Sequence, residues 1–88
     1  MHEQALMREV VARVEAVARE EGASRVTLVR VRLGALSHFT PEHFREHFED
    51  AARGTVAEGA DVEAELRDDP TEPGAQGVVL ESVELELR

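Results

Sequence analysis

The sequence predicts an α+β domain of two layers, with two helices covering one face of a three-stranded sheet in the order helix, strand, helix, strand, strand. Three observations lead there. Apolar residues recur at helical spacing through the first twenty positions, three later segments alternate with a period of two, and a Thr-Pro pair opens a second helical stretch. Each element buries one face only, and packing helices against one side of a sheet lets all of them do so at once.

In the first element, Leu6, Val10, Val14 and Val17 recur at helical spacing, and Met7, Val11 and Ala18 widen the stripe into one apolar face. Glu3, Arg8, Glu9, Arg13, Glu15, Arg19 and Glu20 supply the outer surface, and Gly22 is a natural stop. The spacing predicts a helix over residues 3–21. From Val26 to Leu33 the period becomes two, with Val29, Val31 and Leu33 on one side and Arg30 and Arg32 on the other, a strand with one buried face. Gly34-Ala35-Leu36-Ser37 turns the chain. Thr40-Pro41 reads as an N-cap followed by proline at the first helical position, and Phe44, Phe48, Ala51 and Ala52 line the inner face of a helix that stops at Gly54.

Two further strands follow. Val62, Ala64 and Leu66 alternate with Glu63 and Glu65, and Val83, Leu85 and Leu87 alternate with Glu84 and Glu86. Asp68-Asp69-Pro70-Thr71-Glu72-Pro73-Gly74 between them reads as a turn or short loop, so the second and third strands are expected to form a hairpin. The strand arginines and glutamates share the outer side of the sheet and are expected to pair there, forming a solvated face rather than a binding surface.

Composition bounds the function. The chain of 88 residues forms one domain, close to the size where a single core is only just sufficient, and with three phenylalanines and no tryptophan or tyrosine its packing is aliphatic. Without cysteine, disulfides, thiol nucleophiles, iron–sulfur clusters and the usual structural zinc sites are excluded. A net charge of −9 disfavours nucleic acid and anionic membrane surfaces. No run approaches the length of a membrane span, and the first residues lack a secretory pattern, so a cytoplasmic protein is expected.

The chain begins Met1-His2-Glu3. The α-amine of Met1, the backbone nitrogen of His2 and its imidazole can close fused rings around one ion, with the backbone nitrogen of Glu3 within reach as a fourth ligand. Planar nitrogen-rich sets favour Ni(II) or Cu(II) over zinc. Histidine at position 2 is bulky, so Met1 and its amine are expected to be retained.

These residues carry a family resemblance. Met1-His2-Glu3 opening a long helix, Leu33-Gly34-Ala35-Leu36-Ser37 ending the first strand, Pro41-Glu42 opening a helix with Phe48-Glu49, and the closing Arg53-Gly54-Thr55 resemble the HypA family of nickel metallochaperones. Ala57-Glu58-Gly59-Ala60 and the ending Leu80-Glu81-Ser82-Val83-Glu84-Leu85-Glu86 are similar to the same family. The likeness runs over residues 1–66 and resumes near residue 78. It implies a single α+β nickel-binding domain over residues 1–88 that delivers Ni(II) during maturation of [NiFe]-hydrogenase or urease. His2 is then the principal ligand, Glu3 acts through its backbone nitrogen or as an outer-shell carboxylate, and the partners are a nickel-handling GTPase and a recipient nickel enzyme. The family also carries a zinc domain with two Cys-x-x-Cys motifs between the second and third strands. Here residues 67–77 stand in that place, and no zinc site is expected.

Two further sets of histidines compete for metal. His38, in the turn before the second helix, is a candidate extra ligand for the N-terminal site. His43 and His47, four apart on that helix, can meet one ion from one face, but two ligands without a clear third make a poor site, so the pair ranks behind the N-terminus. Catalysis has no support from a phosphate loop, a nucleophile–base pairing or an isolated carboxylate pair, and no enzyme is expected. The alternative to a metallochaperone is a protein-interaction module that keeps the fold without the metal. The exposed edges of a three-stranded sheet leave monomer and homodimer both open.

Overall fold

A computed structural model describes the backbone of residues 2–87 and the side chains of residues 3–87. The elements are α1 (His2–Glu20), β1 (Ala23–Leu33), α2 (Pro41–Ala52), β2 (Asp61–Leu66) and β3 (Val78–Leu87). Their order and the two-layer α+β arrangement are those read from the sequence.

The sheet order is β2-β1-β3. β1 pairs with β2 in parallel, Val29 opposite Val62 and Arg30 opposite Glu63. It pairs with β3 antiparallel, Val29 opposite Val83 and Leu33 opposite Val78. The expected hairpin of the second and third strands is therefore not formed; the two flank β1 on opposite sides. The reason lies in the lengths of the connections. The chain from Gly34 to Ala60 is long enough, with α2 in it, for the crossover that a parallel pair requires. Residues 67–77 are too long for a tight two-residue turn and instead cross the end of β1. The Arg67 amide donates to the Leu33 carbonyl (2.9 Å), the Gly34 amide to Gly77 (2.9 Å) and the Leu36 amide to Ala75 (2.7 Å). Gly34 is required at this crossing because a side chain there would collide with the Ala75 carbonyl.

β1 starts three residues earlier than its alternation suggests, and β3 starts at Val78, well before Val83. Register shifts between the two strands at Ala23/Arg25, Val26/Leu28 and Arg30/Val31 explain the difference, because each irregularity breaks the period of two on which the sequence reading relied.

The core lies between the sheet and the helices. Met7, Val10, Val11, Val14 and Ala18 of α1 meet Val26, Val29, Val31 and Leu33 of β1, with Phe39, Phe44, Phe48 and Ala52 closing the side next to α2. Phe44 and Phe48 are stacked at 6.0 Å between ring centroids, and Phe39 meets Phe44 edge-on at 5.7 Å. All three aromatic residues thus anchor the beginning and middle of α2, each buried side chain of this size contributing about 1.5–3 kcal/mol. The helix starts as expected: the Thr40 hydroxyl accepts from the His43 amide (3.1 Å), and Pro41 fills the first turn. Its last helical residue is Ala52, and the stop expected at Gly54 follows two residues later, with that glycine in the left-handed region at φ +84°.

The outer face of the sheet is charged and paired. Arg30 reaches Glu63 (2.9 Å) on one neighbouring strand and Glu84 (3.3 Å) on the other, Arg32 reaches Glu81 (3.3 Å), and Arg25 lies 3.5 Å from Glu86. This is the solvated, cross-paired face that the alternation predicts.

Candidate metal site

The first turn of α1 and the first two turns of α2 come together at one end of the helical layer. On α2, Phe44 and Phe48 point into the core, and His43 and His47 each precede one of them, a step of about 100° around the helix that brings both to the shoulder beside α1. On α1, Met7 is buried in the core, and Glu3 sits one turn before it on the same side. Helix packing therefore places the Glu3 carboxylate against the two imidazoles.

His43 Nε2 and Glu3 Oε1 are hydrogen-bonded at 3.2 Å, and His47 Nε2 lies 3.5 Å from the same oxygen. The imidazole rings are 4.4 Å apart, centroid to centroid, tilted by 57°. The buried Phe39 ring lies 5.6 Å from the His43 ring, centroid to centroid, tilted by 43°. Side-chain exposures of 45% for Glu3, 42% for His43 and 35% for His47 leave the cluster open to solvent. The hydrogen bond from His43 holds the Glu3 carboxyl below its usual pKa; partial desolvation opposes this, and the neighbouring imidazole charges reinforce it. Among the described residues, one group of histidine and carboxylate ligand atoms converges, within 4.8 Å of one another, and it consists of Glu3, His43 and His47.

The structure sorts the residues singled out in the sequence. Met1 and the side chain of His2 lie outside the described residues. His38 is exposed in the turn before α2 with φ +67°, a left-handed conformation that histidine tolerates better than most residues, and it does not belong to the cluster. His43 and His47 do meet, and the third ligand the sequence did not supply for them is Glu3. The available signal was the spacing of Glu3 from Met7, which marks Glu3 as a neighbour of whatever packs on the first turn of α1. Glu42, Glu46, Glu49 and Asp50 are all exposed, the solvated helix face expected of them.

The family model described as hydrogenase/urease nickel incorporation, metallochaperone, hypA matches residues 1–71, a stretch that contains all three cluster residues. The chain belongs to the HypA family. The hydrogenase maturation factor HypA of Methylocella silvestris is 47% identical over 66 residues, which are 75% of this chain and 58% of the relative. That of Chlorobium limicola is 43% identical over 65 residues, 74% of this chain and 56% of the relative. The chain thus spans little more than half the length of the curated HypA relatives it matches. In fold it resembles the solution structure of the Ni metallochaperone HypA from Helicobacter pylori, with a TM-score of 0.79, 98% of each chain covered and 16% identity. As in the sequence reading, no described helix is long and apolar enough to cross a membrane.

Proposed function

We propose that this HypA-family chain is a nickel-handling domain that takes up Ni(II) at Met1-His2-Glu3 and passes it to partners in the maturation of a [NiFe]-hydrogenase or a urease. The observation that carries this reading is the family match, which begins at residue 1 and takes in the chelating tripeptide. On this reading the donors are the Met1 amine, the His2 backbone nitrogen and imidazole, and the Glu3 backbone nitrogen, the all-nitrogen kind of set that suits planar Ni(II). The protein acts as a carrier rather than a catalyst, with a nickel-handling GTPase and the recipient nickel enzyme as its partners. The 88 residues hold no cysteine, so every donor proposed here is nitrogen or oxygen.

Binding at this site displaces protons from backbone nitrogens and requires a neutral imidazole, so nickel affinity falls steeply as pH drops through about 6.5 and below. The test is a Ni(II) titration by calorimetry and visible absorbance on untagged protein with a mass-verified Met1, beside His2→Ala. One-site binding with a planar-nickel band that disappears in the variant supports the reading. An unchanged band in His2→Ala, or equal affinity at pH 5.5 and 7.5, contradicts it. Partner binding that persists without nickel would favour an interaction module on the same fold.

A further inference from the structure

We propose that Glu3, His43 and His47 form a separate side-chain site for a divalent first-row transition cation, distinct in donors and geometry from the N-terminal chelate. The N-terminal set uses an amine, backbone nitrogens and one imidazole of a single short segment. The second set uses no backbone atom: two imidazole nitrogens come from α2 and one carboxylate oxygen from α1.

The separations suit coordination. With metal–nitrogen and metal–oxygen distances of about 2.0–2.2 Å, two ligand atoms on one ion lie about 2.9 Å apart at a right angle and about 3.4 Å apart in a tetrahedron. Glu3 Oε1 lies 3.2 Å from His43 Nε2 and 3.5 Å from His47 Nε2, and the ligand atoms of all three residues lie within 4.8 Å of one another, so closing on one ion requires the imidazoles to turn toward each other by a rotamer adjustment. Two histidines and one carboxylate are a donor set that zinc, nickel, iron and cobalt accept with open positions left for water. Solvent reaches all three side chains, and the acidic protein attracts cations. Phe39 and Phe44 fix the start of α2, so the two imidazoles are held by a buried scaffold rather than by a loop. A bound ion would tie the first turn of α1 to α2.

Zn(II) is the probe of choice, because it favours tetrahedral side-chain sets and disfavours planar backbone chelation. Calorimetric titration is carried out on the protein, on the protein with an acetylated N-terminus, and on His43→Ala, His47→Ala and Glu3→Gln. The expected result is one Zn(II) bound with similar affinity with and without the acetyl group, and an affinity lowered by at least about tenfold in each side-chain variant. Imidazole nitrogen NMR of the unaltered protein provides a readout that does not depend on how the variants fold: Zn(II) shifts the Nε2 resonances of His43 and His47 together and leaves His38 in place. Zinc binding that is lost on acetylation but kept in the histidine variants, or a shift of His2 without His43 and His47, overturns the proposal. Failure of the N-terminal chelate leaves a different trace, loss of the planar-nickel band with zinc binding intact, so the two readings fail separately.

Discussion

Two groups of polar side chains join neighbouring elements of this domain, and they differ in what completes them. On the outer face of the sheet, Arg30 lies between Glu63 and Glu84, so the cation that holds the carboxylates is part of the chain. At the end of the helical layer, Glu3 meets His43 and His47, and the positive charge there depends on a proton or a metal ion. The first group is closed by a cation of its own, one arginine serving two carboxylates; the second, on the proposal above, takes its cation from solution.

Removing the scaffold under the histidines has the largest expected effect. Phe44 is fully buried on the helix that carries both histidines, and Phe44→Ala is expected to lower stability by about 3–5 kcal/mol in urea unfolding. It should also abolish the zinc-linked stabilisation, because His43 and His47 are no longer held in register. Next in size is that linkage itself. Zn(II) at a hundred times its dissociation constant should stabilise the protein by about 2.7 kcal/mol in the same assay, and His47→Ala should remove most of the gain. Arg30→Met is the matching change on the closed group. It should leave the zinc effect intact and lower stability by only a small fraction of the Phe44→Ala effect, because its pairs are exposed to water. A loss of the zinc effect in Arg30→Met would erase the distinction between the two groups.

The smallest effects concern single carboxylates. The Thr71 hydroxyl and amide both donate to Asp69 (2.7 and 2.9 Å) and hold its pKa below the usual aspartate value, much as His43 does for Glu3. A lowered folded-state pKa stabilises the fold above the ordinary carboxyl range, and the contribution is lost as pH falls through the lowered value. Thr71→Val should raise the Asp69 pKa and leave Glu3 unchanged, whereas His43→Ala should do the reverse, both read by carboxyl-carbon NMR titration.

Much of this fold was legible in local sequence. The Thr40-Pro41 cap, the Phe44 and Phe48 inner face and the outward Arg30 and Arg32 each follow from chemistry within a few residues of chain. What escaped was non-local. Strand alternation at Val62 and Val83 gives a buried face but not a partner, and the order β2-β1-β3 is set by the crossing of residues 67–77 over the end of β1, where Gly34 allows a close approach. The first residues of β3 were missed because register shifts against β1 spoil the period of two. The cluster followed the same pattern: the spacing of His43 and His47 was visible, but Glu3 is forty residues from His43 and joins it only through the packing of α1 on α2. Membership of the HypA family was also legible, because its motifs lie in short local runs such as Met1-His2-Glu3 and Leu33-Gly34-Ala35-Leu36-Ser37.

The most direct test of the account, that this domain handles cations at the α1–α2 end and nowhere on its charged sheet, is a backbone amide NMR titration with Ni(II) on protein of verified N-terminus. Signals are expected to shift or broaden first in the opening turns of α1 and in α2 around His43 and His47, while β2, β3 and residues 67–77 keep theirs. Early changes centred on the Glu63, Glu81 and Glu84 strands, or none near Glu3, would contradict it.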